Sequence, residues 1–278
     1  MSEGTKQKVR EFYDEIGWQQ EENGAYQNAR FEDLRPVVRE YIHRTRMRVM
    51  GGLLPKGRFL LDAGSGPVQY EEYKTYSQGY HMRVCLDISI QALRAARERI
   101  GDHGLFVVGD LVNLPFRRDS FDGAVSMHAI HHLSLSEHLG AYGEIHRVLA
   151  PGRKAAIVNG WYQPLLIRLA EPLIGLMRRV SGRSEKRKRE WLGEEDPAGT
   201  FVQKMTPEWF KREIGSKLVI ELKPWRSLST RILRWFVRPF GGRILLKLVF
   251  WLEDLFPRFF AENGQYPLIV INKPDNLE

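Results

Sequence analysis

Short apolar runs recur through the middle of the chain, and helical stretches separate them. Because these runs lack the alternation of apolar and polar residues, they predict parallel strands that are covered on both faces. The predicted strands include residues 59–61, 83–89, 105–111, 121–128 and 154–159. The clearest helical stretches are Ile90 to Ile100 and Leu135 to Leu149. This alternation predicts the α/β class, with a doubly wound and mostly parallel sheet.

A glycine turn follows the first predicted strand, in the segment LLDAGSGP at residues 60–67. Gly64 and Gly66 let the backbone bend sharply and place no side chain between it and a ligand. A helix that begins just afterwards would direct its free N–H groups at that ligand, and Pro67 suits its first turn. On its own, a glycine pair is equally typical of an ordinary corner between a strand and a loop.

The next two predicted strands each end in an acidic residue. Asp87 ends the second strand and Asp110 the third. An acid at the tip of the second strand of a nucleotide-binding βαβ unit can accept both hydroxyl hydrogens of a ribose. Together with the glycine turn, the two acids indicate a nucleoside site at one edge of the sheet.

Four landmarks in this order resemble one family: DAGSGP, the Asp87 strand end, GDLVNLPF and FDGAVSMHAIHHL. They resemble the class I, Rossmann-like methyltransferases that depend on S-adenosylmethionine, in particular the ubiquinone/menaquinone methyltransferase-like branch (methyltransferase type 11). The resemblance covers Phe59 to Asn159. It implies a seven-stranded sheet with an antiparallel last strand, S-adenosylmethionine as the cofactor, and methyl transfer as the activity. The sixth and seventh strands would be Leu218 to Leu222 and Pro267 to Asn272, paired as an antiparallel hairpin.

The same resemblance assigns cofactor contacts. Residues 62–66 would enclose the methionine part, Asp87 would hold the ribose, and Asp110 with Leu111 would meet the adenine. An N-terminal helical segment would cover the site, so that Tyr13, Trp18 and Tyr26 could line it unless they are ordinary core or surface aromatics. The full expected set is Tyr13, Asp62, Ala63, Gly64, Ser65, Gly66, Asp87, Ile88, Asp110, Leu111, Met127 and His128.

Three histidines lie just beyond the fourth predicted strand, where open α/β sheets bind ligands. Histidine can take a proton near neutral pH, which methyl transfer to a hydroxyl requires. His131 and His132 are the candidate catalytic bases, with a structural role as the alternative, and His128 is expected to contact the cofactor through its backbone. Their spacing is not that of a metal site on one helix face, so no metal is expected.

The motifs argue against two classes of nucleic-acid enzyme. Ser126-Met127-His128-Ala129 is unlike the proline-rich motif of enzymes that methylate amino groups of DNA. Cytosine C5 methylation uses a cysteine nucleophile, and Cys85 lies inside the second predicted strand. As the only cysteine, Cys85 also excludes a disulfide framework, so a cytoplasmic setting is expected. The start, MSEGTKQKVREF, lacks the apolar core of a signal peptide.

The length of 278 residues fits one methyltransferase domain with additions. Helices are predicted over Thr5 to Glu15 and Arg35 to Met50, on either side of a polar loop at 21–24. The expected parts are an N-terminal helical cap (1–52), a cofactor-binding core (53–160), a helical and basic insertion (161–205) and an apolar helical insertion (229–265).

The two insertions raise the question of a membrane. Pro164 to Val180 and Ile244 to Phe256 are apolar helical stretches, and the second is too short, at ~1.5 Å per residue, to span a bilayer core of ~30 Å. Arginines beside them, the basic run at 183–189 and the net charge of +8 favour peripheral contact with an anionic membrane. The alternatives are that the helices cover the core or form a homodimer interface, and that the basic run is a solvated loop.

Two functions follow from these observations. The first is methyl transfer from S-adenosylmethionine to an oxygen, carbon or nitrogen of a small-molecule or lipid- or quinone-like acceptor. The second is a non-catalytic protein that keeps the fold to bind a membrane or a partner. A nucleic-acid methyltransferase is a weaker alternative that depends on charge alone.

Overall fold

The computed structural model describes residues 3–18, 32–181, 192–195 and 201–275. In this part of the chain a seven-stranded sheet has the order β3-β2-β1-β4-β5-β9-β8, and a separate pair joins β6 and β7. The strands are β1 (Gly57–Ala63), β2 (Tyr80–Asp87), β3 (Gly104–Val108), β4 (Phe121–Met127), β5 (Leu149–Val158), β6 (Leu192–Glu195), β7 (Phe201–Gln203), β8 (Ile220–Arg226) and β9 (Tyr266–Asn272).

The pairing within the large sheet confirms the predicted fold class. β1 pairs in parallel with β2 and β4, and the parallel ladder continues to β3 on one side and to β5 on the other. β9 runs antiparallel between β5 and β8, so the last strand of the chain is the antiparallel one. The predicted hairpin of the sixth and seventh strands therefore forms, as β8 and β9.

The helices lie between the strands and before them. They are α1 (Glu3–Phe12), α2 (Arg39–Met47), α3 (Glu71–Thr75), α4 (Ile90–Ile100), α5 (Leu135–Val148), α6 (Leu165–Ser181), α7 (Pro207–Phe210), α8 (Thr230–Phe236), α9 (Gly242–Leu255) and α10 (Pro257–Asn263). α4 has its predicted bounds because the Ser89 side chain accepts the Ala92 N–H and caps the helix. α5 begins with a capping box between Ser134 and Glu137.

Two helix predictions are wrong in their bounds. No helix begins directly after the glycine turn: α3 begins only at Glu71, because Val68 is buried in a left-handed conformation with φ 52°. Pro67 is therefore not in a first helical turn. The helix predicted from Arg35 begins at Arg39 after a turn that Pro36 enters, and a 3₁₀ turn continues it from Arg48 to Gly52.

Apolar side chains cover the large sheet on both faces. One core cluster joins β1 and β4 to α5 and includes Leu61, Ala124 and Ile145. The other joins the sheet to α4 and the 3₁₀ turn and includes Leu60, Val125 and Leu93. Burial on both faces explains why the strands have continuous apolar sequences.

The helices of the two predicted insertions form further apolar clusters. Ile167 and Ile174 of α6 pack against Ile232 and Trp235 of α8. Leu233 of α8 packs with α2 and α9. No helix in the described part of the chain is long and apolar enough to cross a membrane.

Some predictions fall outside the described residues, namely those on Tyr26, the loop at 21–24 and the basic run at 183–189. The division of the chain into a cap, a core and two insertions stays a prediction.

Candidate active site

The carboxyl edge of the large sheet gathers nearly all predicted site residues. On one side, called the acidic side here, the tips of β1, β2 and β3 end at the glycine turn, at Asp87 and just before Asp110. On the other, the basic side, are the tips of β4, β5 and β8 and the start of β9. The three histidines follow β4 and so lie on the basic side, where it meets the acidic side.

The glycine turn is built for close approach. The backbone N–H groups of Gly64 and Ser65 both donate to the Leu86 carbonyl, at 2.7 and 3.1 Å, which ties the turn to the tip of β2. Gly64 has φ 74°, and a Cβ there would lie 2.3 Å from the Cβ of Ala129. Only glycine fits this position without strain and steric overlap.

Asp62, near the end of β1, stabilises the fold through an ion pair. Its Oδ2 accepts the Nε–H of Arg83 at 3.0 Å and a second bond from the same guanidinium group. Both side chains are almost fully buried, and Arg83 also donates to the Tyr73 carbonyl at 2.5 Å. Asp62 therefore holds a buried ion pair beneath the turn, in addition to any contact with a ligand.

Asp87 has a carboxylate placed for a nucleoside. Its Oδ2 accepts the Gly66 N–H at 2.8 Å and its Oδ1 accepts the Ser89 N–H at 2.9 Å. Each oxygen keeps one lone pair for a further donor. Burial raises the pKa of Asp87 to about 6, against the lowering effect of these two backbone bonds. At neutral pH the group is a carboxylate that still has a capacity to accept hydrogen bonds.

The N-terminal segment lies over the acidic side. Lys6 Nζ contacts Asp110 Oδ2 at 2.5 Å and Glu137 Oε1 at 3.0 Å. Asp14 accepts the Ser89 hydroxyl at 2.5 Å. The Trp18 ring lies 3.1 Å from where a Cβ on Gly66 would be. The segment thus contacts the tips of β1, β2 and β3.

Tyr13 connects this segment to the histidines. Its hydroxyl lies 2.7 Å from His132 Nε2, and its ring stacks on Trp18. His132 Nδ1 lies 2.8 Å from the Phe201 carbonyl, which can only accept, so Nδ1 carries the proton and Nε2 accepts from Tyr13. Burial lowers the pKa of His132 to about 4.

His131 is oriented differently. Its Nδ1 lies 3.0 Å from the side-chain oxygen of Asn159, just beyond β5, so Nδ1 donates and Nε2 is the acceptor nitrogen. Burial holds its pKa well below the usual value, with the neighbouring histidines adding to the effect. His131 is therefore neutral at pH 7, with its tautomer set by an amide, as expected of an oriented base.

Comparison with known proteins fits this geometry. Residues 61–157 match a family model described as a methyltransferase domain. The matched segment begins inside β1 and ends inside β5, and so includes the glycine turn, Asp87, Asp110 and the histidines. Residues 61–157 of this chain are therefore a methyltransferase domain. A domain of this kind uses S-adenosylmethionine as its cofactor.

Solved structures share the fold of the methyltransferase domain at low identity. Geranyl diphosphate C-methyltransferase from Streptomyces coelicolor, in complex with Mg²⁺, geranyl diphosphate and S-adenosyl-L-homocysteine, is 15% identical with a TM-score of 0.55, and 97% of each chain is covered. Phosphoethanolamine N-methyltransferase 2 from Haemonchus contortus, in complex with S-adenosyl-L-methionine, is 16% identical with a TM-score of 0.50, over 84% of this chain and 53% of that one.

One curated relative matches in sequence. The tRNA (carboxymethyluridine(34)-5-O)-methyltransferase alkbh8 of Xenopus tropicalis is 29% identical over 142 residues, which is 44% of this chain and 21% of that protein. The chain thus spans about a fifth of the length of the curated relative that it matches.

The residues of the methyltransferase domain fit S-adenosylmethionine. The turn, in which Gly64 and Gly66 carry no side chain, would enclose the methionine part. The buried Asp87 carboxylate, with one lone pair left on each oxygen, would hold the ribose. Asp110 and Leu111 follow the end of β3, where adenine is expected. Asp110 pairs with Lys6, and Leu111 is half-buried beside the core. Among the described residues, no group of histidine, cysteine, aspartate and glutamate side chains could hold a metal ion.

The remaining predicted residues lie as follows. Ala63 is buried at the end of β1, and Ser65, Ile88 and Met127 are half-buried at the same edge. His128 has φ 57° and donates its N–H to the Val158 carbonyl. Cys85 is buried as predicted, and its pKa is raised to about 12, which removes it as a nucleophile.

Sequence reasoning missed Lys6, Arg83 and Asn159. Arg83 could have been found, because a charge inside an apolar strand needs a buried partner. Asn159 ends the fifth predicted strand, which is itself a signal, since side chains at strand ends reach this edge. Nothing in the sequence marks Lys6 among its polar neighbours.

Proposed function

We propose that the chain transfers the methyl group of S-adenosylmethionine to a small-molecule or lipid-like acceptor. The observation that supports this most is the arrangement at the acidic side. Three adjacent strand tips carry the glycine turn, the buried Asp87 and the half-buried Asp110, and the histidines lie beside them. The chain's exposed apolar helices favour a lipid- or quinone-like acceptor within this class.

The acidic side binds and orients the cofactor. Gly64 and Gly66 would admit the methionine part, and Asp87 would accept the ribose hydroxyls through its remaining lone pairs. When bound, S-adenosylmethionine supplies an electrophilic methyl group for direct displacement at the sulfonium carbon. The N-terminal segment from Lys6 to Trp18 would then exclude water from the site.

The histidines serve the acceptor. His131, held by Asn159, offers Nε2 to a proton from an acceptor hydroxyl or an acidic carbon. His132 supports Tyr13, whose hydroxyl is polarised by donating to Nε2 and can orient the acceptor. An amine acceptor would need positioning alone, which supplies a large part of the rate in such reactions.

Calorimetric titration with S-adenosylmethionine tests the cofactor site. We expect the native chain and the control Asp102→Ala, at an exposed position, to bind equally, and Asp87→Ala to bind at least about 100-fold more weakly because it loses charge-assisted hydrogen bonds. Equal binding by Asp87→Ala, or no binding by the native chain, would contradict the proposal.

The acceptor class is tested by isotope transfer. Labelled S-adenosylmethionine is incubated with the chain and with extracts separated into lipids, quinones, small polar metabolites and RNA. We expect label in the lipid and quinone or small-molecule fractions, with none after Asn159→Ala if the acceptor is a hydroxyl. Label confined to RNA would favour the nucleic-acid alternative, which the tRNA-methylating relative supports.

A second candidate function is peripheral membrane binding, with or without catalysis. One face of α6 exposes Leu165, Leu169, Leu173, Leu176 and Val180, and α9 with its flanks exposes Phe240, Ile244, Leu248, Trp251 and Phe256. Exposed cations lie among them, including Arg168, Arg179, Arg243 and Lys247. Apolar faces with basic neighbours suit an anionic membrane surface.

Sedimentation with liposomes of anionic phospholipid tests this candidate. We expect the native chain to pellet, and the paired substitution Ile244→Asp with Trp251→Asp to remain in the supernatant while still binding the cofactor. If the native chain and the variant both remain in the supernatant, the membrane candidate is wrong. Sedimentation velocity then shows whether the same faces join two copies of the chain.

A further inference from the structure

We infer that the acceptor carries an oxyanion, either a phosphate or a carboxylate, and that Arg226 and Arg46 bind it beside His128. This inference rests on the proposed function, because it names the chemistry of the acceptor for the same site.

The first ground is position. β8 ends at Arg226, and β9, which is antiparallel to it, begins at Tyr266, so both residues lie at the carboxyl edge with His128. The His128 ring is 5.1 Å from the Trp225 ring and 5.2 Å from the Tyr266 ring. The Arg226 guanidinium carbon is 4.9 Å from the centre of the Tyr266 ring. Arg226 therefore lies on the basic side, next to the histidines.

The second ground is that Arg226 is buried with unused donors. The residue is 2% exposed. Its Nε and one terminal nitrogen have no hydrogen-bond partner among the described residues. The carboxylate of Glu32 lies 3.7 Å from that terminal nitrogen, which is beyond hydrogen-bond distance. Buried charged donors without acceptors are unfavourable, and a bidentate oxyanion is the ligand that a guanidinium fork fits best.

Arg46 gives a second cation with the same property. It bonds Glu32 and Glu72, and its guanidinium carbon lies 3.4 Å from the centre of the Tyr70 ring. Its Nε is buried without a partner among the described residues. Glu32 contacts both arginines, so the two guanidinium groups belong to one cluster.

The surroundings of His128 contain several cations and a further unpaired donor. Burial lowers the pKa of His128, and the charges of Arg226, Lys204 and Arg46 lower it further. Glu32 and Glu72 are the carboxylates bonded to or beside the arginines. The Nε1 of Trp225 is a further buried donor without a partner in the described residues. An anion at this place would accept hydrogen bonds from the unpaired donors of Arg226, Arg46 and Trp225.

The probes are inorganic phosphate and acetate, titrated by calorimetry into the full chain saturated with S-adenosylhomocysteine. The variants are Arg226→Gln, Arg226→Lys and the control Arg58→Gln, which removes an exposed arginine at the opposite edge of the sheet. We expect saturable binding of one or both anions to the native chain and to Arg58→Gln. Arg226→Gln should weaken it about 10- to 100-fold, and Arg226→Lys should weaken it less. The stronger of the two probes identifies the oxyanion class.

S-adenosylhomocysteine binding separates the possible failures. If the native chain binds S-adenosylhomocysteine but neither anion, or if Arg226→Gln binds the anions as the native chain does, the oxyanion site is wrong and the methyltransferase proposal stands. If the native chain does not bind S-adenosylhomocysteine, the proposed function itself fails. For each variant, the affinity for the anion is divided by the affinity for S-adenosylhomocysteine. A variant that does not fold loses both affinities, so it cannot produce the expected result.

Discussion

The acidic and the basic sides of the sheet edge both bury charged groups, but they pair them differently. On the acidic side Arg83 is buried, and each nitrogen of its guanidinium group donates to Asp62 or to the Tyr73 carbonyl. On the basic side Arg226 is as deeply buried and keeps unpaired donors in the described structure. A buried charge that is satisfied within the chain serves the fold, whereas one that is left unsatisfied is available to a ligand.

The largest expected effect compares these two arginines. Arg83→Met leaves Asp62 buried without a partner and should lower the free energy of unfolding by about 3–5 kcal/mol. Arg226→Met removes unpaired donors and should change it by less than about 1 kcal/mol. Urea denaturation of both variants measures the difference. Equal losses would mean that Arg226 serves the fold and that the comparison is wrong.

A substitution at Gly64, with Gly140 as the control, tests how tightly the glycine turn is packed. Gly64→Ala combines a left-handed φ of 74° with a 2.3 Å contact to Ala129 and should cost about 2–4 kcal/mol of unfolding free energy. Gly140→Ala, in α5 with nothing within 4 Å of its added Cβ, should instead gain up to about 1 kcal/mol. Thermal denaturation of the two variants measures these changes. If Gly64→Ala left the unfolding free energy unchanged, the turn would be less tight than described.

A smaller effect follows from the opposite pKa shifts on the two sides. Burial raises the pKa of Asp87 to about 6 and lowers those of His132 and His128 to about 4 and about 3. Ribose hydroxyls donate best to a carboxylate, so S-adenosylmethionine affinity should fall about tenfold per pH unit below pH 6. Calorimetry from pH 5 to 8 measures this, with Asp87→Asn expected to show no such slope. A slope that persists in Asp87→Asn would assign the titration to another group.

The same shift has a consequence for stability in the free protein. Because the folded pKa of Asp87 lies above the ordinary carboxyl value of 3.8, the folded state holds a proton between about pH 4 and 6 that the unfolded chain has already released. The contribution of Asp87 is therefore most favourable below this window and is lost as pH rises through about 6. Asp87 thus costs stability at neutral pH, where its charge is needed for the ligand.

The smallest effect concerns the contact of the N-terminal segment with the acidic side. Lys6→Ala removes a partly exposed ion pair and should lower the unfolding free energy by less than about 1 kcal/mol. Hydrogen exchange of α1 should nevertheless become faster, because the helix loses its contact with Asp110 and Glu137. Lys211→Ala, which removes an exposed ion pair with Glu262, should leave α1 unchanged. Unaltered exchange in Lys6→Ala would show that the aromatic contacts alone hold the segment.

The acidic side was largely predictable from the sequence, and the reason is local. A strand, a glycine turn and an acid at the next strand tip lie within 28 residues, from Leu60 to Asp87, and each has its own backbone signature. The continuous apolar runs likewise predicted the parallel strands because both faces of the sheet are covered. The helix expected after Pro67 was wrong, since the left-handed conformation of Val68 is not visible in its residue type.

The basic side could not be predicted in the same way. Arg46, Asn159, Lys204 and Arg226 lie far apart in the sequence, on four different parts of the fold. Each arginine resembles any surface arginine until its burial is known. The histidines were found because they follow a strand, but which nitrogen carries the proton depends on Phe201 and Asn159, which no local pattern connects to them.

The central claim is that the three strand tips of the acidic side hold S-adenosylmethionine. Its most direct test is a crystal structure of the chain grown with S-adenosylhomocysteine. The account predicts ribose hydroxyls within about 3 Å of the Asp87 carboxylate, the amino-acid part against the turn of Gly64 and Gly66, and adenine near Leu111. Density for the nucleoside at another place, or a turn that stays closed by Trp18 at saturating ligand, would contradict it.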